Sequence, residues 1–352
     1  MKKSIIFNLL LLSLLRAVAQ PADVKLGAYY FDGWSTMADK MHLTKSLVDS
    51  FPMRKPVWGW VTTTPAIMDA QINTAADAGL SFFSFCWFYS ARPGTDSLNK
   101  AMRLFNGSPY KNRMKYCLLV ANHTGFSIGP DEWPIVTNKW VNLFKTGSYL
   151  TVNGKPLIIF LSVKSLLDQF GSAEKVRQAF NILRQKANEN GLSGVSIAAC
   201  LGPGKNETSV AEECGFDVLT GYNYSPIGFV QGQKQIPIEN LQKPEVKIWD
   251  KFHTVSNLPC IPLVTLNWDP RPWSKGSKYY AEAPSYTGYS AESVYNSVKH
   301  VVNWVNNHPQ YVTREKLAIL YAWNEYGEGA WLTPSANDRL KLLSGVTRAL
   351  RE

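Results

Sequence analysis

The feature that most constrains the fold is an alternation of short apolar segments with segments of helical periodicity. The apolar segments are rich in β-branched or aromatic residues, which is typical of strands. Several are apolar throughout, as expected for parallel strands that are covered on both faces. Eight such segments occur, at Leu26–Phe31, Ser81–Phe88, Lys115–Ala121, Leu157–Leu161, Val195–Cys200, Val218–Tyr222, Ile261–Leu266 and Leu317–Trp323.

Between these strands lie segments whose apolar residues recur with helical spacing. They are Ala66–Ala78, Glu132–Thr146, Ala173–Asn190, Ser293–Asn307 and Ala336–Leu350. Eight strand–helix units over this length predict the α/β class and a single-domain (β/α)8 TIM barrel. An open doubly wound sheet is the alternative, which is less favoured because no G-x-G-x-x-G follows the first strand. Two segments, Tyr224–Pro244 and Asn267–Gly288, are predicted to be long loops.

The N-terminus predicts export. Lys2 and Lys3 precede an apolar run, Ile5–Leu15, and the tripeptide Ala17–Ala19 follows as an A-x-A cleavage pattern. This order is typical of a secretory signal peptide, here residues 1–19, which leaves residues 20–352 as the catalytic barrel domain. The alternative is a buried N-terminal helix; the run is too short for a membrane span. We therefore expect a periplasmic or extracellular protein without stable membrane insertion.

Charge and motifs argue against several classes of protein. The formal net charge is +10, but the basic residues are dispersed, which favours a solvated surface over a nucleic-acid site. We find no P-loop, H-E-x-x-H or G-x-S-x-G, and no cofactor is predicted. The five cysteines lack metal-binding spacing and are expected to be mostly buried thiols, with one disulfide left open. Asp32 and Asp269 leave a calcium site open.

Aromatic and polar residues gather where the predicted strands end. In a barrel of this kind the active site lies at the carboxyl ends of the strands. Flat aromatic faces beside directional polar groups suit a sugar, although each aromatic taken alone is equally well explained as core. The candidate substrate-binding residues are Tyr30, Asp32, Trp34, Trp87, Tyr89, Asn122, His123, Tyr222, Tyr224, Trp268, Asp269, Arg271 and Trp323. The expected partner is an oligo- or polysaccharide.

Glu325 and Glu328 follow the eighth strand and are the candidate catalytic residues. Glycoside hydrolysis commonly needs two carboxyl groups across the scissile bond. Residues three apart in a strand point to opposite faces, so these two converge only if the strand ends between them. Gly327 and Gly329 supply the backbone freedom for that bend. Two solvated loop acids are the alternative, and Asp32 or Asp269 is a further candidate for the second carboxylate.

The segment Ala322–Gly329 resembles the W-N-E-[aromatic]-[G/H]-E-G signature of glycoside hydrolase family 99 and of the family 99-like, WbsX-type proteins. Further similarities lie at Gly27–Tyr30, Asp69–Trp87, Arg113–His123 and Trp268–Trp273. Together these segments cover nearly the whole chain after the predicted signal peptide. The resemblance implies a (β/α) barrel and a retaining hydrolase, related to endo-α-mannosidases.

In the mechanism that this resemblance implies, the 2-hydroxyl of the sugar attacks the anomeric carbon and forms a 1,2-anhydro sugar. Glu325 would assist deprotonation of that hydroxyl, and Glu328 would protonate the leaving oxygen and then activate water. Trp323 and Tyr30 would shape the sugar site.

The chain departs from the family pattern at three places. Tyr326 stands where Trp is usual, Gly327 where the mannosidases have His, and Thr333 where an acid often precedes Pro. Both candidate catalytic glutamates are present, but these departures leave the identity of the sugar open.

Two other functions remain as alternatives. A glycosyltransferase of surface polysaccharide synthesis is disfavoured by the predicted export, because nucleotide-sugar donors are cytosolic. A non-catalytic glycan-binding barrel is disfavoured by the presence of both glutamates.

Overall fold

A computed structural model describes residues 24–34, 42–90 and 98–352. The predicted signal peptide lies outside these residues. The strands of the barrel, in chain order from β1 to β8, are Lys25–Tyr30, Phe82–Trp87, Lys115–Val120, Lys155–Phe160, Ser196–Cys200, Val218–Thr220, Leu263–Thr265 and Leu317–Tyr321. Each lies within, or within two residues of, one of the eight predicted strands.

The eight strands form a closed parallel barrel. Hydrogen-bonded neighbours follow the order β6-β5-β4-β3-β2-β1-β8-β7. The ring closes just before β7, where the amide of Leu219 donates to Pro259 O at 3.0 Å and the amide of Ile261 donates to Leu219 O at 2.8 Å. Because no edge separates β6 from β7, the (β/α)8 prediction is confirmed and the open-sheet alternative is wrong.

Helices surround the barrel in the order the alternation predicts. They are Lys45–Ser50, Pro65–Asp77, Lys100–Gly107, Trp133–Phe144, Val163–Phe170, Ala173–Glu189, Lys205–Cys214, Glu239–Val255, Lys278–Glu282, Ala291–Asn307 and Lys341–Arg351. All five predicted helices are present, with shifted ends. The largest shift is in the last of them, which begins at Lys341, five residues after the predicted start. Side-chain caps define several starts; the Thr64 hydroxyl, for example, accepts from the Ile67 amide.

Both long-loop predictions need correction. Helix Glu239–Val255 begins inside the segment predicted as a loop up to Pro244, and it tolerates Pro244 in its interior. The other segment contains a 3-10 turn at Arg271–Gly276, helix Lys278–Glu282 and strand Ser285–Thr287, which pairs with Gln235–Pro237. Short elements of this kind depend on tertiary contacts, and their own periodicity is too brief to detect.

The interior of the barrel is filled by side chains. Tyr29 on β1 reaches across to Gly221, whose carbonyl oxygen accepts from its hydroxyl at 2.6 Å. All five cysteines lie in the described part of the chain, where they are buried and free of disulfides. Among the described residues, no helix combines the length and the apolar character that crossing a bilayer requires.

Candidate active site

The segment after β8 folds into a short hairpin that brings both candidate glutamates to the carboxyl end of the barrel. Asn324–Glu325 pairs antiparallel with Ala330–Trp331, and Glu325 lies opposite Ala330. The chain therefore turns between Glu325 and Glu328, as their convergence requires. Gly329 has a φ of +80° and supplies the left-handed conformation of this turn.

Gly327 has a different role from the one predicted. It is not among the glycines with positive φ. A Cβ atom at this position would lie 2.0 Å from the Trp273 ring. Glycine is thus required because the indole of Trp273 packs directly on the backbone of the turn.

Glu325 is buried, with 3% of its surface exposed. Its Oε1 accepts a hydrogen bond of 2.8 Å from the hydroxyl of Tyr222, in the loop that follows β6. Burial disfavours the ionised form and raises the pKa of Glu325 to about 7, although the Tyr222 hydroxyl opposes that shift. This carboxyl group therefore changes its charge near neutral pH.

Glu328 is buried as well and is held by two tyrosines. Oε1 accepts from Tyr280 at 2.7 Å, and Oε2 accepts from the hydroxyl of Tyr321, the last residue of β8. Burial raises the pKa of Glu328 to about 7, against the effect of the Tyr280 hydrogen bond. Burial is the main cause that raises the pKa of Tyr222, and the charges of both glutamates raise it further, so this hydroxyl lies in the electrostatic field of both carboxyl groups.

Asn324 locks the hairpin to the end of β1. Its side chain accepts from the Phe31 amide and donates to the Phe31 carbonyl oxygen, both at 2.8 Å. The indole of Trp34 donates to the Asn324 carbonyl oxygen at 2.9 Å. Trp34, predicted to bind substrate, is 1% exposed and stabilises the hairpin from the core.

The two other candidate acids are engaged in the structure. Asp32 accepts from the Thr63 hydroxyl at 2.8 Å and from the Ala101 amide at 2.6 Å, at the start of helix Lys100–Gly107. Burial raises the pKa of Asp32 to about 7. Asp269 forms ion pairs with Arg54 and Arg271.

Protein groups therefore contact both carboxylates in the structure, and the predicted contact of Asp32 and Asp269 with a sugar stays a prediction. Within the described residues, no group of three or more His, Cys, Asp or Glu side chains has a metal-binding arrangement.

Tyr30 and Trp323 lie between the barrel and helix Pro65–Asp77. Each is fully buried, and both bond to Gln71: its Nε2 donates to the Tyr30 hydroxyl at 3.1 Å, and Trp323 Nε1 donates to its Oε1 at 2.8 Å. In this conformation they support the hairpin from behind. Their direct contact with a sugar stays a prediction.

Three more candidates are also held by the core. Asn122 donates to Ser162 O at 2.7 Å and accepts from the Ser162 amide at 3.0 Å, which fixes the end of β3 to the end of β4. The amide of Tyr224 donates to the Thr265 hydroxyl at 2.8 Å. Trp268 is 2% exposed.

His123, Tyr89 and Arg271 keep accessible surface at the same end of the barrel, where Tyr89 stacks on Trp87 with ring centroids 6.1 Å apart. Of the predicted binding residues, the structure brings Tyr222 into direct contact with Glu325, a candidate catalytic residue. Contact of the others with a sugar stays a prediction.

Tyr280 and Tyr321 are site residues that the sequence prediction missed. Tyr321 lies inside a predicted strand, while Tyr280 lies in a segment predicted as a loop. A cavity of ≈ 670 Å³ adjoins this site. Its lining includes His42, Thr44, Lys45, Trp273, Lys275 and Tyr280.

A closed (β/α)8 barrel with a buried carboxyl pair after its eighth strand defines the structural class of the protein. The sequence model of the family described as "Glycosyltransferase WbsX" matches residues 60–346, and the chain belongs to this family. The resemblance to family 99-like, WbsX-type proteins is confirmed. No curated protein matches the chain.

Among solved structures, the chain is similar to the GH99 endo-α-mannosidase of Bacteroides thetaiotaomicron. In complex with bis-tris-propane, that enzyme superposes with a TM-score of 0.62 at 14% identity, over 92% of this chain and 95% of the mannosidase. A second structure of the same enzyme gives a TM-score of 0.62 at 13% identity, over 94% and 96%. At this identity the likeness establishes the fold.

Proposed function

We propose that the protein is a retaining glycoside hydrolase that cleaves glycosidic bonds of a glycan or polysaccharide, with Glu325 and Glu328 as its catalytic residues. One observation carries the proposal: two buried carboxyl groups, both with a pKa raised to about 7, lie on one turn at the catalytic end of the barrel. Acid–base catalysis is most efficient when the pKa of the catalytic group lies near the operating pH. The fold shared with a GH99 endo-α-mannosidase supports the same assignment.

In the proposed first step, ionised Glu325 accepts the proton of the sugar 2-hydroxyl, whose oxygen attacks the anomeric carbon. Protonated Glu328 gives its proton to the glycosidic oxygen as that bond breaks. A 1,2-anhydro sugar and a free leaving sugar result. In the second step, Glu328 takes a proton from water, which opens the anhydro ring at the anomeric carbon, and Glu325 returns its proton to the 2-oxygen.

The tyrosines suit this exchange of protons. A hydroxyl that donates to a carboxylate favours the ionised form, whereas burial favours the protonated form. Tyr280 and Tyr321 hold both oxygens of Glu328, so its side chain keeps one orientation while its charge changes.

The substrate and location are parts of the same proposal. The endo-α-mannosidase neighbours favour an α-mannoside type of substrate, and the N-terminal pattern favours export to the periplasm or the exterior. An exported hydrolase would meet its glycan outside the cytosol, where nucleotide sugars are absent.

The test is a glycan screen with purified protein, with released sugars identified by mass. We expect the wild type to release sugar, and Glu328→Gln and Glu325→Gln to lose about 10²–10⁴-fold in rate. Glu189→Gln, an exposed change on helix Ala173–Glu189, is the matched control. A wild-type rate in Glu328→Gln would refute its role as acid and base.

The family description favours one second candidate, a glycosyltransferase. That activity requires binding of a nucleotide-sugar donor. Calorimetry with a set of nucleotide sugars separates the two: binding with sugar transfer would replace the hydrolase proposal.

A further inference from the structure

Trp273 connects two loops at the catalytic end of the barrel. It lies in the 3-10 turn Arg271–Gly276 after β7, and its Nε1 donates to His42 O at 3.0 Å. A second hydrogen bond connects the same two loops, since the Thr44 hydroxyl donates to Pro272 O at 3.0 Å. The indole is therefore fixed in place and keeps partial exposure.

The same indole packs on the catalytic turn. The Trp273 ring lies against the backbone of Gly327, which is between the two catalytic glutamates in the chain. The Trp273 ring also packs against Tyr280, with ring centroids 5.7 Å apart. Tyr280 in turn donates its hydroxyl to Glu328 Oε1 at 2.7 Å.

These two aromatic residues line the cavity of ≈ 670 Å³ beside the site. That volume is within the range of small-molecule sites, ~300–1,000 Å³. The wall of the cavity thus contains the aromatic ring whose hydroxyl holds Glu328. A ligand in the cavity would contact the ring of Tyr280, whose hydroxyl holds Glu328, and would find two rings available for the apolar C–H face of a pyranose.

We propose that Trp273 and Tyr280 form the subsite for the leaving sugar, and that Trp273 determines which leaving groups the enzyme accepts. This inference rests on the proposed function, because Glu328 is there the group that protonates the leaving oxygen. The sugar attached to that oxygen must lie near Glu328, and the cavity lined by Tyr280 and Trp273 is the space that adjoins the two residues in contact with this turn. Gly327 is part of the same arrangement, since any larger side chain at this position would displace the indole of Trp273.

The test compares two substrates that share one glycone, chosen from the glycan screen. One is an oligosaccharide with a sugar leaving group, and the other is the glycosyl fluoride, whose leaving group is too small to reach the rings. In Trp273→Ala we expect kcat/KM to fall about 10- to 100-fold on the oligosaccharide, as for a packed aromatic contact, and by less than about threefold on the fluoride.

Tyr110→Ala is the matched control. Tyr110 is 45% exposed and is not part of the cavity wall. The ratio of the two kcat/KM values should stay at its wild-type value in this variant. Equal losses on both substrates in Trp273→Ala would overturn the subsite.

Gly327→Ala provides an independent variant, because Gly327 is not among the glycines with positive φ. The three atoms nearest to the added Cβ all belong to the Trp273 ring. This variant should lower the ratio in the same direction as Trp273→Ala. The double variant should show no further loss in the ratio. Additive losses would contradict an action of Gly327 through the indole.

The outcomes separate this inference from the proposed function. Hydrolysis that depends on Glu328, with an unchanged substrate ratio in Trp273→Ala, rejects the subsite and keeps the hydrolase. A wild type that hydrolyses neither class of substrate rejects both.

Discussion

Tyr222 and Tyr321 pack edge to face, with ring centroids 4.9 Å apart, and each donates its hydroxyl to a different one of the two candidate catalytic glutamates. Tyr222 comes from the loop after β6 and holds Glu325. Tyr321 ends β8 and holds Glu328. The two rings therefore fix the positions of the carboxyl groups relative to each other through strands on different sides of β7.

We expect Tyr222→Phe to move the acidic limb of the pH–rate profile to higher pH. The lost hydroxyl stabilises ionised Glu325, and hydrogen bonds to charged groups contribute ~1.5–3 kcal/mol. One pKa unit corresponds to ~1.4 kcal/mol, so the lower end of this range moves the limb by about one unit. The measurement is kcat/KM against pH. Tyr116→Phe, whose hydroxyl contacts Thr146, is the control; an unmoved acidic limb in Tyr222→Phe would argue against Glu325 as the base.

Tyr280→Phe should move the basic limb of the pH–rate profile. Its hydroxyl stabilises ionised Glu328, so its loss raises the pKa of the group that must be protonated in the first step. The basic limb should then shift upward by about one unit, since the same hydrogen-bond energy is lost. The ring is kept, so the substrate ratio described above should change little. A shift of the acidic limb instead would exchange the roles of the two glutamates.

The sequence predicted the barrel because its strands are apolar runs at regular intervals and five of its helices have clear periodicity. Helix Lys205–Cys214 escaped notice because it buries Thr208, Ala211 and Cys214 alone, too little apolar surface for a visible pattern. The convergence of Glu325 and Glu328 was predictable from the turn between them, which Gly329 supplies. The reason for Gly327 was not, because Trp273 approaches it from a separate loop.

Long-range polar partners were the least predictable part of the site. Asp269 resembled a sugar ligand at a strand end, yet its carboxylate pairs with Arg54, which lies 215 residues earlier in the chain. No spacing rule connects such positions. Tyr280 was missed for the same reason: its helix is five residues long, and only the fold brings it to Glu328.

Asn324→Ala should destabilise the protein and lower its activity together. The side chain satisfies the amide and the carbonyl group of Phe31, and an unsatisfied buried polar group costs ~1–3 kcal/mol. We expect the free energy of unfolding to fall by about 2–5 kcal/mol in urea titrations. Asn337→Ala, at an exposed position, is the matched control. A stable but inactive Asn324→Ala would indicate a direct chemical role instead.

Arg54→Met tests the ion pair that ties the hairpin to the loop after β7. Arg54 donates to Tyr326 O at 2.8 Å as well as to Asp269, and it is 3% exposed. Removal of one partner of a buried pair costs ~3–5 kcal/mol, and we expect a loss at the lower end because Arg271 still faces Asp269. Arg113→Met breaks the exposed pair with Asp77 and should cost at most ~1 kcal/mol. Equal losses of unfolding free energy in the two variants would show that the buried Arg54–Asp269 pair stabilises the fold no more than the exposed Arg113–Asp77 pair does.

Glu245→Gln should remove part of the decline in stability that occurs as the pH rises from 4.5 to about 8. Glu245 is buried on helix Glu239–Val255, where Oε1 accepts from the Thr265 amide at 2.7 Å, and burial raises its pKa from 4.5 to about 8. The folded state therefore holds this proton more tightly than the unfolded state does. The resulting stabilisation is complete below pH 4.5 and is lost as the pH rises through 8, at ~1.4 kcal/mol for each unit in between.

Glutamine stays neutral at every pH and keeps an oxygen for the Thr265 amide. The melting temperature of Glu245→Gln, compared with the wild type, should therefore rise steadily between pH 5 and pH 8. Asp32, Glu325 and Glu328 contribute dependence of the same sign to both proteins, because burial also raises their pKa values. The difference between the two melting curves thus isolates Glu245. A constant difference across this range would mean that Glu245 is ionised in the folded protein throughout, with the Thr265 amide stabilising its charge.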